Sequence, residues 1–118
     1  MNYKEKQLAK QMLEKELKNP RQVRGIFPNN SLSHEIVKCQ IAYKLLQGGW
    51  EVYLEQELKT CNGRADVLAI NVETGIIVEV LDSETEEEFR LNKLSKYPTN
   101  FQVSCVKCKD FDINTWYP

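Results

Sequence analysis

Two short stretches that are apolar on both faces, each carrying one carboxylate near its middle, constrain this chain more than anything else in it. They lie in residues 62–83, NGRADVLAINVETGIIVEVLDS. Residues 64–70 predict one strand, 71–75 a tight turn and 76–82 a second strand. Side chains alternate across a strand. Ala65, Val67 and Ala69 therefore share one face of the first, and Arg64, Asp66, Leu68 and Ile70 share the other. On the second, Ile76, Val78 and Val80 oppose Ile77, Glu79 and Leu81. Strands apolar on both faces belong in the covered centre of a sheet. A carboxylate there is costly unless something compensates it. A cation shared by Asp66 and Glu79 is the most economical compensation.

The rest of the chain reads as elements built around that pair. Residues 2–18 predict a Lys-, Glu- and Leu-rich helix with a thin apolar stripe, stopped by Asn19-Pro20. Residues 21–30, with Gly25 and Pro28, predict an extended arm whose Arg21 and Arg24 could touch phosphates. A second helix is expected over 31–48, capped by Ser33 and ended by Gly48-Gly49. Its stripe Glu35, Cys39, Ala42, Leu46 at helical spacing turns Glu35 inward. Residues 50–58 alternate as a strand with one wet face, carrying Glu51, Tyr53, Glu55 and Glu57. A third helix is expected from Asp82-Ser83, with Ser83 and Glu86 in capping-box spacing, to Tyr97 before Pro98. Residues 101–106 predict a last strand, and 110–118 a tail without clear period.

The order α, α, β, β, β, α, β permits antiparallel pairing of the first three strands and a parallel crossover to the fourth. The expected fold is α/β, with a mixed sheet of about four strands flanked by helices. The expected organisation is an N-terminal helix and arm over 1–30 and one core domain over 31–118, since 118 residues suit one domain.

With 16 Lys and Arg against 17 Asp and Glu, the net charge is −1, so no global field draws the chain to nucleic acid. The chain opens without a signal-peptide pattern and has no apolar run of about 18 residues, which predicts neither secretion nor a membrane span. A cytoplasmic protein is expected (host cytoplasm if viral), with Cys39, Cys61, Cys105 and Cys108 as reduced thiols. Cys105 and Cys108 make a lone CxxC. A zinc there would need further ligands from Cys39, Cys61 or His34, and buried structural thiols are the favoured reading. The spare helix and the aromatic tail with Trp116 and Tyr117 suggest a homodimer.

The chain resembles the PD-(D/E)XK nuclease superfamily, with its restriction-endonuclease-like fold. In that pattern a helix bearing a Glu precedes a three-strand meander. The second strand supplies an Asp, the third a Glu followed two places later by Lys, and a helix and a fourth strand complete it. SHEIVKCQIAYKLLQGGWEVYLEQEL matches the leading helix and first strand, GRADVLAI the Asp strand, and GIIVEVLDSETEEEF the Glu strand with its helix. The R-x-D and E-x-x signatures look most like those of small prokaryotic or viral members associated with competence and restriction. The likeness covers residues 31–107.

What the resemblance implies is hydrolysis of DNA phosphodiester bonds assisted by Mg²⁺, or Mn²⁺. Asp66 and Glu79 would be the metal-binding carboxylates, and Glu35 the acid that orients a metal-bound water. Leu81 stands where the motif lysine is expected, and Ala65 where a Pro is usual. Lys38, Lys93 and Lys96 are the candidate replacements, with Lys96 taken into the site. Two other readings stay open. One is the same fold with catalysis lost, binding nucleic acid or serving assembly. The other is an unrelated interaction domain whose acids form salt bridges, such as Asp66 with Arg64 or Lys59.

Overall fold

The two strands with buried carboxylates form the centre of a four-stranded sheet of order β1-β2-β3-β4. The computed structural model describes residues 2–16, 29–59, 63–98 and 100–118. The predicted arm, apart from its last two residues, and Cys61 lie outside them. Along the chain come α1 (Tyr3–Glu16), α2 (Leu32–Gln47), β1 (Glu51–Glu57), β2 (Arg64–Ile70), β3 (Gly75–Leu81), α3 (Glu86–Asn92) and β4 (Phe101–Lys107). Single 3-10 turns follow at Leu94–Lys96, after α3, and Cys108–Asp110, after β4.

Connection length decides strand direction. Residues 71–74 are enough only for a hairpin, and Asn71 builds it: its Oδ1 accepts from the N–H groups of Glu73 at 2.9 Å and Thr74 at 2.8 Å. β1–β2 and β2–β3 accordingly pair antiparallel. The long connection holding α3 returns the chain so that β4 runs parallel to β3. The mixed sheet follows the expected order.

Both faces of the sheet are covered. Val37, Ile41, Ala42 and Leu45 of α2 pack on Val52, Leu54, Val67, Ala69, Ile76, Val78 and Val80. Ala9 and Met12 of α1 join Tyr53, Leu68, Ile70, Ile77 and Phe101 on the other side. This corrects the expected wet face of the first strand, where Tyr53 and Glu55 are 9% and 4% exposed. Tyr53 is covered by α1, whereas Glu55, skipped by the β1–β2 register, turns to Lys38 of α2; both partners are distant in sequence, so local alternation could not reveal them.

Both helix starts also differ from expectation. Ser31, not Ser33, caps α2, its hydroxyl accepting from the His34 N–H at 3.1 Å. Thr85, not Ser83, caps α3: its hydroxyl accepts from the Glu88 N–H and donates to Glu88 Oε1, at capping-box spacing two residues later than predicted. α3 stops at Asn92 rather than reaching Tyr97.

The buried stripe of α2 is His34, Glu35, Val37, Lys38, Ile41, Ala42 and Leu45. Glu35 does point inward, but the predicted companions Cys39 and Leu46 are exposed. The phase is off by one residue, about 100° around the axis. Lys38 is the reason. A lysine reads as a surface residue, yet here it turns fully inward to meet two carboxylates.

Gly75 begins β3 where a side chain has no room: an added Cβ would lie 2.3 Å from Cε1 of the buried Phe101. Gly75→Ala is expected to lower stability by about 1–3 kcal/mol, read as a shifted urea midpoint at unchanged slope. An unshifted midpoint would show that Phe101 can move aside.

Candidate metal centre

The site forms where β2 and β3 part. Their ladder ends at Val67↔Val78, while β3 stays paired with β4 as far as Leu81↔Lys107. Past that point the Val80 N–H donates to Oδ2 of Asp66 at 2.8 Å. A side chain thus serves as acceptor for the β3 backbone, and the Asp66 carboxyl is drawn against that strand. It lies within hydrogen-bonding reach of the Glu79 carboxyl. The two acids singled out in the sequence therefore meet on the same side of the sheet.

Each carboxyl is also held from outside. The Tyr97 hydroxyl, just beyond the Leu94–Lys96 turn, donates to Oε1 of Glu79. On the other flank, Nε2 of His34 stands 3.3 Å from Oδ2 of Asp66. A continuous polar chain results, Tyr97–Glu79–Asp66–His34. Burial and then the charge of Asp66 push Glu79 up to about 10, so without a cation this acid keeps its proton. Burial alone would raise Asp66 too. Hydrogen bonds from His34, Glu79 and the Val80 N–H outweigh it and hold Asp66 below its ordinary value. The bond to Asp66 in turn raises His34 above 6.5, against the opposing effect of its own burial.

Behind this chain lies a second acidic pair that already has its cation. Lys38 Nζ, fully buried, is 2.8 Å from Glu35 and 3.2 Å from Glu55. Asn30 Nδ2 donates to the same two acids at 2.7 and 2.9 Å. Glu55 reaches this position with a backbone φ of +49°, a conformation that residues other than glycine adopt at some cost. His34 Nδ1, 3.5 Å from Glu35 Oε1, links the two clusters.

His34, Glu35 and Glu55 offer ligand atoms that all lie within 4.8 Å of one another and could hold a metal ion. Any ion there would compete with the ammonium of Lys38. The Asp66–Glu79 pair is compensated differently, by the proton that Glu79 keeps and by His34 beside Asp66. Hard carboxylate oxygens in such a pair suit Mg²⁺ or Mn²⁺.

The Asp66–Glu79 pair opens into a cleft of about 600 Å³. Glu55, His34 and Tyr97 line it beside the pair, together with Arg64, Lys93 and Lys96. Of the candidate replacements for the motif lysine, Lys93 and Lys96 reach the cleft and Lys38 does not. Lys93 is held by Glu84 at 3.2 Å. Glu35 is not in the cleft wall; its carboxylate sits against Lys38, one layer back from Asp66.

His34, Asn30, Glu55 and Tyr97 were not legible as site residues. His34 is the chain's single histidine and precedes Glu35, which was the available signal. Nothing in the sequence marks the unusual φ of Glu55. Comparison with known proteins finds no matching family model, no matching curated protein and no matching solved structure.

Lys38→Met would leave Glu35 and Glu55 buried without their ammonium, and a loss of about 3–5 kcal/mol is expected in chemical denaturation. A loss under about 1 kcal/mol would mean that water or Arg64 takes over the role.

The acid pair also sets a pH dependence. Folded Glu79 keeps its proton far above the 4.5 at which an unperturbed glutamate releases it, so the folded chain binds more protons than the unfolded one across that window. Stability therefore falls as pH rises through it, and His34 adds to the fall above 6.5. Asp66 acts oppositely, contributing stability that is lost in acid. In metal-free buffer the urea midpoint is expected to drop between about pH 5 and 9, with Glu79→Gln flattening the profile. A wild-type profile that stays flat or rises would contradict this assignment.

Proposed function

We propose that this chain is a divalent-metal-dependent phosphodiesterase acting on nucleic acid, DNA in the first instance, with Asp66 and Glu79 as the ligands of Mg²⁺ or Mn²⁺. The observation that carries this reading is the buried acid pair at the cleft, one member of which must stay protonated unless a cation arrives. The strand order and the parallel β3–β4 pair are compatible with the restriction-endonuclease-like arrangement, which supports it at the level of topology. When bound, the ion supplies charge stabilisation at a nonbridging phosphate oxygen and makes water available as a nucleophile near neutral pH.

The chain's own residues then have separate tasks. Asp66 and Glu79 are oriented from their two ends by His34 and Tyr97, which keeps both carboxyls aimed together. Lys96, exposed on the cleft wall, is placed to meet the anionic phosphate and is the preferred replacement for the missing motif lysine. Lys38 is a positioning residue. It fixes Glu35 behind the site and Glu55 at the cleft wall, and does not itself line the cleft.

The alternative, a nuclease-like fold that binds nucleic acid without cutting it, is less well supported by the cleft's charge. Glu55, Asp66, Glu79, Asp82 and Glu84 line it against Arg64, Lys93 and Lys96. Phosphates approach such a wall poorly until a divalent ion changes its sign.

Mg²⁺ or Mn²⁺ is expected to raise the thermal midpoint of the wild type and to promote nicking of supercoiled plasmid DNA. Glu79→Gln keeps the neutral shape of the protonated acid, so it should fold well, gain nothing from metal and fail to cut. Lys96→Ala should keep the metal response and lose about 10²–10³-fold in rate. Metal-independent DNA binding that survives Asp66→Ala, with no cleavage, would instead establish the binding module.

A further inference from the structure

The outer surface of α2 reverses the usual helical arrangement. Its ionisable His34, Glu35 and Lys38 are buried, while Leu32, Ile36, Tyr43 and Leu46 are 76%, 49%, 63% and 56% exposed. Cys39, also exposed, completes the series. The spacing of residues 32, 36, 39, 43 and 46 alternates four and three, the 3.5-residue period of a helix that pairs with another helix. The row spans nearly the whole of α2, about 21 Å at 1.5 Å per residue. One flank is uncharged, with Ser33 and Gln47 exposed and Gln40 half-buried, and on the other Glu35 is buried beside Ala42. The nearby Lys44 is turned away to the tail, where it donates to the Ile113 carbonyl at 2.7 Å and lies 4.4 Å from the Tyr117 ring centre.

We infer that this face of α2 is a self-association surface, on which α2 of a second copy of this chain packs antiparallel about a two-fold axis near Cys39. The charge pattern selects the occupant. Among the described residues this face carries no solvated charge, which gives nucleic acid or a charged peptide nothing to pair with. Two copies of it meet without like-charge repulsion, and each supplies the apolar 3.5-residue row the other requires. An antiparallel two-fold sets Leu32 of one copy near Leu46 of the other and brings the two Cys39 thiols close to the axis. One helix face per copy, extended by the exposed Tyr117 beside Lys44, is a small contact beside the roughly 1,200–2,000 Å² that stable interfaces bury. The dimer is therefore expected to be concentration-dependent, with a dissociation constant on the order of micromolar. This inference is independent of the metal site, whose ligands lie on β2 and β3.

Sedimentation velocity on the full chain under reducing conditions, from about 1 to 300 μM to bracket that constant, is expected to show a monomer–dimer equilibrium. Ile36→Glu and Tyr43→Glu, both at exposed positions, should each give a monomer across the range with an unchanged far-ultraviolet spectrum and thermal midpoint. A short bis-maleimide should trap a covalent dimer of the wild type, and Cys39→Ser or Ile36→Glu should abolish it. A wild type that stays monomeric throughout, or a dimer that persists in both glutamate variants, would overturn the inference.

Discussion

A hydrogen bond from the β3 backbone to the side chain of Asp66 is the hinge of this structure. Where β2 and β3 would otherwise continue their ladder, the Val80 N–H takes Oδ2 of Asp66 as its acceptor. That single exchange places a charged oxygen between two strands and sets Asp66 against Glu79. It occurs beside the cleft that the same residues line. The rest of the site answers the electrostatic demand so created. His34 and Tyr97 hold the pair from either side, and the proton on Glu79 keeps two like charges from facing each other.

The neighbouring acids meet the same demand in a different way. Glu35 and Glu55 are buried almost as deeply, but Lys38 and Asn30 are built in between them. One pair is thus completed by a built-in lysine, and the other by a proton together with His34 and Tyr97. This contrast separates scaffold from candidate chemistry more sharply than the number of acids does. A lysine ammonium is a permanent occupant, whereas a proton on a carboxyl exchanges with pH. The same contrast accounts for α2, which turns its charges to the sheet and is left with an apolar outer row.

Much of this was legible in the sequence. The seven major elements appear in the expected order, with β2 at its expected limits and the hairpin turn where Asn71 makes it. Asp66 and Glu79 stood out because carboxylates inside doubly apolar strands need compensation. Less legible were features that depend on distant partners. The phase of α2 was misread because Lys38 becomes a core residue only when Glu55, 17 positions away, faces it. The wet face assigned to β1 vanished because α1 covers Tyr53 and Lys38 of α2 takes Glu55. His34, Glu55 and Tyr97 carry no local mark of their roles, since each role is a contact with another element.

What the sequence determined by itself is the periodic framework: which segments alternate, which helices follow, and which two acids would be stranded among apolar neighbours. Propensity and side-chain period are local quantities, so a single chain reading recovers them. Only the tertiary structure decided that those acids converge, that one keeps a proton while another pair keeps a lysine, and which lysines reach the cleft. Charge compensation in a buried site depends on distances of a few ångströms between residues far apart in the chain, and those distances are set only when the sheet and its helices pack.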